Sequence, residues 1–215
     1  MSKIHMESVE CVACGKESPH RFWDIIDPMM NQETKKKVLS GEIFTFTCPH
    51  CGFQRRVTYD TIYQEMGKGR YFHLVTSEDS YMQAINLYAD RDQHSGTVLA
   101  NEIVRIVLSQ NQLAEKIRIF DEGLDDRIVE LIKAFYLGEL YKQIPDLNVE
   151  EVLFYANADG QYEIAFLSAD GDHRTITFTR EMYDGIYEDI GRRLPPIYQE
   201  IEVDMETATE YLEYL

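Results

Sequence analysis

The chain contains four cysteines, and all of them lie in two short motifs of equal spacing, CVACG at residues 11–15 and CPHCG at residues 48–52. Two residues between thiolates let one tight turn present both sulfurs to a single metal ion, and the glycine after each motif permits a positive φ. Two such turns predict a tetrahedral four-thiolate site that holds a structural Zn²⁺. The predicted ligands are Cys11, Cys14, Cys48 and Cys51. Because four protein ligands leave no open coordination position, the site favours a role in folding over catalysis.

Other thiol chemistry uses the same spacing and stays open at this point. Cys-x-x-Cys is also the spacing of redox-active dithiols, but that interpretation requires one motif at a helix N-terminus after a βαβ pattern, whereas strand-like sequence flanks both pairs. An iron–sulfur cluster is a further alternative. Disulfides are the least favoured, because the chain carries no secretion signal. His50, in the middle of the second motif, is expected to point into solvent and away from the metal.

Elements that would position the cysteines are visible on both sides of the second motif. An apolar run at residues 22–26 predicts a strand, and a polar helix from about residue 30 to 40 is expected to end at Gly41. β-Branched and aromatic residues at 43–47 predict a strand into the second motif, and residues 54–59 predict one out of it. Each cysteine pair is therefore expected at the turn of a β-hairpin-like element, which is a zinc-ribbon arrangement with a helix inserted between its halves.

These features follow one another in a recognisable order. A CxxCG motif comes first, then a Trp-containing strand, an Asp-Pro pair, a helix ending at Ser-Gly-Glu, the run IFTFTCPHCG and a Tyr-rich strand. Over about residues 8–115 this order resembles the CpXC domain family of prokaryotic proteins. The second motif fits the family pattern, whereas the first carries Val12 where proline is usual, which costs turn rigidity without removing a ligand. The resemblance implies zinc binding and a bacterial cytoplasmic setting, and it implies no reaction.

The rest of the chain predicts two domains, residues 1–109 and 110–215. In the first, residues 57–66 and 71–76 are typical of strands, which we expect to extend the ribbon into a fuller antiparallel sheet. A short helix at about 79–90 and a strand at about 97–108 complete this domain. In the second, a helical hairpin is expected, with one helix ending near Gly123 and the next capped by Asp125.

Beyond Pro145 the apolar period changes from helical spacing to alternation. Strands at 152–157, 162–168 and 175–179 predict an antiparallel meander, with Asp159-Gly160 as a hairpin turn. Helices at about 181–193 and over the last turns of the chain follow. The predicted fold class is α+β, namely a zinc-ribbon-like antiparallel β domain with an inserted helix, then a helical hairpin and a small antiparallel meander with C-terminal helices.

The charge of the chain is strongly negative and unevenly distributed. Residues 1–77 hold 10 Lys and Arg against 9 Asp and Glu, whereas residues 78–215 hold 11 against 29, and the whole chain has a net charge of −17. This balance argues against nucleic-acid binding by the full chain, because that binding depends on Lys and Arg displacing counterions from phosphates. The sequence shows no apolar run long enough to span a membrane and no signal peptide, so a cytoplasmic location is the expectation.

No motif of known catalytic mechanics occurs in the chain, including GxSxG, GxxxxGK[ST], HExxH and GxGxxG. We therefore expect a non-enzymatic protein-interaction or regulatory module, with a protein partner or a second copy of the chain. One alternative is an enzyme with an acidic site between the domains built on Asp121, Asp125 and Asp126, although acids at a helix-helix turn are also favoured as caps. Another is nucleic-acid binding through the N-terminal domain, by residues 35–37 (all lysine), Arg55, Arg56 and exposed aromatic residues.

Overall fold

The computed structural model describes residues 2–89, 101–157, 161–169 and 171–214, and over these residues the protein has ten strands and six α-helices. The strands are β1 (Lys3–Glu10), β2 (Glu17–Ile26), β3 (Thr45–Thr47), β4 (Gln54–Arg56), β5 (Thr61–Glu65), β6 (Arg70–Leu74), β7 (Ile103–Val107), β8 (Val149–Ala156), β9 (Tyr162–Ser168) and β10 (His173–Phe178). The helices are α1 (Gln32–Leu39), α2 (Glu78–Ala89), α3 (Gln110–Asp121), α4 (Asp126–Gln143), α5 (Arg180–Asp189) and α6 (Met205–Glu210). The predicted α+β class is confirmed.

Two compact units divide the chain, one ending at Ala114 and the other beginning at Glu115. This boundary lies inside α3, whereas the boundary predicted from the sequence, after residue 109, precedes that helix. Within the described ranges, no helix combines the length and the apolar character that crossing a membrane requires.

The first unit contains a five-stranded sheet with the order β1-β2-β5-β6-β7. The pairs β1–β2 and β5–β6 are antiparallel, but β2–β5 and β6–β7 are parallel. The prediction of an antiparallel sheet is therefore wrong for two of the four pairs. Parallel neighbours need a long crossover connection, and both pairs have one. The chain between β2 and β5 includes α1, β3 and β4, and the chain between β6 and β7 includes α2.

A separate two-stranded hairpin, β3–β4, carries the second cysteine motif. Helix α1 precedes it. Asn31 caps α1 by accepting a hydrogen bond from the Glu33 amide at 2.9 Å, and the helix gives way to Gly41, whose φ of 75° is the left-handed conformation expected of a stop signal. Strand β3 is shorter than predicted, because residues 42–44 form a 3₁₀ turn before it.

The second unit pairs the three-stranded antiparallel sheet β10-β9-β8 with helices. Its core lies between the sheet and α4, where Ile128, Phe154 and Phe166 are fully buried. The predicted meander and the cap of α4 by Asp125 are confirmed, since Asp125 accepts a hydrogen bond from the Arg127 amide at 3.0 Å. The predicted Asp159-Gly160 turn lies outside the described residues.

Candidate metal centre

The first cysteine motif forms the turn between β1 and β2. The Gly15 amide donates to the Cys11 carbonyl at 2.8 Å, and the Cys11 amide donates to the Lys16 carbonyl at 3.0 Å. Gly15 has a φ of 67°. Strands β1 and β2 pair from Glu10 opposite Glu17, next to the turn, to Lys3 opposite Ile25. The hairpin therefore holds this turn at a fixed position.

The second motif repeats the same backbone arrangement between β3 and β4. The Gly52 amide donates to the Cys48 carbonyl at 2.9 Å, the Cys48 amide donates to the Phe53 carbonyl at 2.9 Å, and Gly52 has a φ of 76°. The side chain of His50 is exposed, as the sequence predicts. Two turns of equal geometry, each at the end of an antiparallel hairpin, therefore present one pair of sulfurs apiece.

The structure brings the four cysteine sulfurs together, all within 4.8 Å of one another. Sγ of Cys11 lies 3.6 Å from Sγ of Cys51, and Sγ of Cys14 lies 3.7 Å from Sγ of Cys48. A tetrahedron of sulfurs about 2.3 Å from a central zinc ion has edges of about 3.8 Å. The spacing of the sulfurs thus fits a single tetrahedral ion. Within the ranges that the structure describes, no other cluster of three or more His, Cys, Asp or Glu has ligand atoms this close.

The thiols of the second motif differ in acidity. Desolvation opposes ionisation of Cys48, but hydrogen bonds from the amides of His50 and Cys51 outweigh it and lower the pKa of the Cys48 thiol to about 7. The Phe53 amide favours ionisation of Cys51, yet desolvation and the three neighbouring sulfurs raise the pKa of the Cys51 thiol to about 12. Four negative sulfurs at these distances repel one another, so a cation is needed to hold them together as thiolates.

A small hydrophobic cluster lies beneath the sulfurs and joins the two hairpins. Cys11 and Cys48 are buried, whereas Cys14 and Cys51 are exposed. The buried pair packs with apolar side chains of β1, β2 and β3 and of the segment after β4, namely Val9, Phe22, Phe46 and Val57. The ring of His20 contacts those of Phe22 and Phe46 edge to face, with centroids 5.1 and 5.5 Å apart. Both hairpins therefore share one apolar core in addition to the sulfurs.

The basic side chains that the sequence offers for nucleic-acid binding have acidic or polar neighbours. Each of the three lysines pairs with a carboxylate: Lys35 with Glu65, Lys36 with Glu33 and Lys37 with Glu42, at 2.7–2.9 Å. Arg56 donates to the Asn111 side chain at 3.3 Å. The structure does not assemble these cations into one unpaired basic patch.

The pair Lys35–Glu65 is mostly buried, and this carries a stability prediction. Desolvation disfavours the Glu65 carboxylate, but the hydrogen bond and charge of Lys35 prevail and hold the pKa of Glu65 below its usual 4.5; the Tyr63 hydroxyl also donates to it, at 3.0 Å. We expect Glu65→Gln to lower the free energy of unfolding by about 1–3 kcal/mol at pH 7. Because the folded-state pKa is the lower one, this contribution is present above pH 4.5 and is lost as pH falls through the folded pKa.

Urea unfolding at pH 7 and in acid measures this effect. The matched control is Glu33→Gln, since Glu33 pairs with the neighbouring Lys36 at 2.7 Å but in solvent, and surface pairs contribute little. Equal stability of the two variants at pH 7 would contradict the prediction, and so would an unchanged difference between Glu65→Gln and the native protein in acid.

The three acidic residues considered for an enzyme site occupy different environments. Asp121 is exposed. Asp125 caps α4 and also accepts two hydrogen bonds from the Arg127 guanidinium, one from Nε at 3.0 Å and one from Nη2 at 2.7 Å. Asp126 is fully buried, and its carboxylate lies 3.0 Å from Nζ of Lys116. The structure places Asp125 and Asp126 in separate ion pairs.

Asp126 belongs to a group of five charged side chains buried among α3, α4 and β8, which we call the buried ion cluster: Glu115, Lys116, Asp126, Glu130 and Lys133. Lys133 bridges Glu115 at 2.9 Å and Glu130 at 2.8 Å. The Phe154 amide donates to Glu115 at 2.6 Å. Desolvation raises the pKa of Glu115, although Lys133 opposes this. The sequence does carry a signal for the cluster, because Glu130 and Lys133 interrupt the apolar run of the first half of α4, residues 126–133, which is buried on every side.

Two hairpin turns that bring four cysteines to metal-site distances define a protein with a candidate four-sulfur metal centre. A family model described as CpXC protein matches residues 9–133, more than half of the chain and a range that includes all four cysteines. The chain therefore belongs to the CpXC protein family, and the resemblance stated from its motifs is confirmed. A search of curated proteins found no match, and a search of solved structures found none either.

Proposed function

We propose that this protein binds one structural zinc ion through Cys11, Cys14, Cys48 and Cys51 and acts as a non-enzymatic protein-interaction or regulatory module. The observation that carries the metal assignment is that the four sulfurs lie within 4.8 Å of one another, with two of the distances, 3.6 and 3.7 Å, close to the edge of a zinc–thiolate tetrahedron. Zinc prefers four thiolates in this geometry, and with four protein ligands it supplies folding energy and no activated water. Two hairpin turns with a helix between them support a zinc-ribbon arrangement for residues 1–109.

The alternatives for the cysteines fit the geometry less well. Each pair lies between two strands, whereas a redox dithiol of the thioredoxin type lies at a helix N-terminus. Sulfurs within 4.8 Å of one another leave room for one ion, which disfavours a multi-iron cluster. Four thiols also remain reduced most easily in the cytoplasm, which supports the proposed location.

The internal ion pairs and the acidic net charge of the second unit support the interaction role. Asp125 and Asp126, the residues an enzyme site would need, are engaged with Arg127 and Lys116 inside the unit. The second unit holds 24 Asp and Glu against nine Lys and Arg, a net charge of −15. A surface of one dominant charge steers association with oppositely charged partners and repels nucleic acid. We propose that residues 110–215 form the partner-binding domain.

Metal analysis tests the zinc assignment directly. We expect inductively coupled plasma mass spectrometry of protein purified without added metal to find one zinc per chain, and a strong chelator to remove it with a fall in the thermal midpoint. Iron in place of zinc would overturn the identity of the metal. Metal-free protein that keeps its full stability, with thiols that cycle to disulfides, would overturn the structural site and support a redox function.

A further inference from the structure

An apolar groove of about 330 Å³ lies on the second unit, between α4, α5 and the last described turn of the chain. Its walls are aliphatic and aromatic, and they include Leu131, Phe135, Met182, Ile186, Ile190 and Leu212. Met182 and Ile186 of α5 and Ile190, directly after its end, recur at intervals of four, so they form one stripe that faces the groove. Of the residues that line the groove, Leu131 and Ile132 lie within the range matched by the family model, and the others lie C-terminal to it.

Two large apolar side chains of this groove are left open to solvent. Phe135 is 57% exposed and Leu212 is 47% exposed. Exposed apolar side chains occur singly on most proteins, but here two of them line one concave surface. The groove therefore offers anchoring positions to a ligand with an apolar face.

Exposed acidic residues lie close in sequence to residues that line the groove. Three of the nine basic side chains of the second unit, Lys116, Arg127 and Lys133, are buried in internal ion pairs. Four more pair with carboxylates on the surface: Lys142, Arg174, Arg180 and Arg192. Asp189 lies one turn after Ile186, and Glu206 lies one turn before Thr209, so both acids border the lining faces of their helices. Neither of these two exposed carboxylates forms an ion pair with a described residue.

We propose that this groove binds an amphipathic helix of another protein, one whose apolar face is flanked by Lys or Arg. This inference rests on the proposed interaction function and assigns the surface and the class of partner. An apolar stripe that fills a groove between helices is a common mode of peptide recognition, and basic flanks complement Asp189, Glu206 and the net charge of −15.

The same observations disfavour other occupants. Side chains of helices line the groove, and their backbone groups bond within the helices, so an extended peptide would find no partners for its own amides there, whereas a helix satisfies them internally. A second copy of this chain would bring together two molecules of net charge −17, and that repulsion opposes association.

Fluorescence anisotropy with the full-length protein tests the proposal. The probe is a labelled peptide of about 15 residues, long enough for measurable helicity, with Leu on one helical face and Lys on both flanks. Two comparison peptides are used. One has the same composition in scrambled order, and the other has the same pattern with Glu in place of Lys. We expect binding of the Lys peptide only, and a loss of affinity of about tenfold or more in Leu212→Asp and in Phe135→Asp. The control variant is Leu87→Asp, which changes a leucine that is 62% exposed on α2.

The other outcomes overturn either the groove proposal or the metal assignment, and the two failures can be told apart. Equal binding of the Lys peptide to all variants would mean that the peptide is attracted to the acidic surface in general and not to the groove. Equal binding of the Lys and Glu peptides would contradict the proposal that the partner is basic. A dimer found by sedimentation velocity and abolished by Leu212→Asp would assign the groove to a second copy. Zinc content and circular dichroism are measured on the same samples. If the protein is folded and holds zinc but binds no peptide, only the groove proposal is contradicted. If the protein is zinc-free but binds the Lys peptide, only the metal assignment is contradicted.

Discussion

Cys48→Ser is expected to abolish zinc binding and to destabilise the first unit more than any other substitution considered for this protein. Cys48 is one of the two buried cysteines of the site, and its sulfur lies 3.7 Å from that of Cys14. Zinc bound by four ligands in small domains contributes on the order of 10 kcal/mol to folding, comparable to the whole stability of a domain. Because a hydroxyl replaces one thiolate, we expect a loss on the order of 5 kcal/mol, measured by thermal unfolding with metal analysis of the same sample.

His50→Ala is the matched control for this experiment. His50 lies in the same turn as Cys48, two residues further on, but its side chain is exposed and is not one of the four predicted ligands. We expect this variant to keep its zinc and to unfold near the native midpoint. Loss of zinc in His50→Ala, or a Cys48→Ser protein with native metal content and stability, would contradict the four-cysteine site.

Lys133→Met is expected to cost about 3–5 kcal/mol of unfolding free energy, the second largest effect. The substitution keeps an apolar stem of similar length but leaves the carboxylates of Glu115 and Glu130 buried with Lys116 as the remaining cation of the cluster. Removing one member of a buried ion pair costs this much because the other charge stays desolvated and uncompensated. Urea unfolding at pH 7 measures the difference.

The same helix supplies a control with the same geometry. Lys142 pairs with Glu139 three residues earlier, as Lys133 pairs with Glu130, but the Lys142 side chain is 73% exposed. We expect Lys142→Met to change the free energy of unfolding by less than about 1 kcal/mol. Similar costs for Lys133→Met and Lys142→Met would show that the buried ion cluster does not depend on its central lysine.

Local signals predicted the elements around the cysteines well. The stop at Gly41 and the strands on either side of the second cysteine motif follow from turn residues and residue types, which a sequence displays directly. Strand β1 gave no such signal, because seven of its eight residues are exposed and it lies at the edge of the sheet. Alternation between buried and exposed side chains, the usual mark of a strand, is therefore absent from it.

Long-range relations were harder to predict, for a physical reason. The parallel pairing of β2 with β5 depends on how the chain between them crosses over, and no residue in either strand specifies it. The ion pairs of Lys133 depend in the same way on α3 packing against α4, because Glu115 lies 18 residues away in the sequence. For the metal centre the sequence predicted which residues come together, since identical paired motifs leave few arrangements, but only the fold shows that the four sulfurs meet at one point.

A metal ion bound by both cysteine turns would also cross-link the chain between them. Strand β2 belongs to the five-stranded sheet and β3–β4 does not, so an ion held by both turns closes a loop of 34 residues, from Cys14 to Cys48, that includes α1. A cross-link over a loop of this length reduces the chain entropy of the unfolded state by the equivalent of about 4 kcal/mol. With zinc bound as proposed, the metal would set the free energy at which this segment opens locally, separately from the opening of the larger sheet.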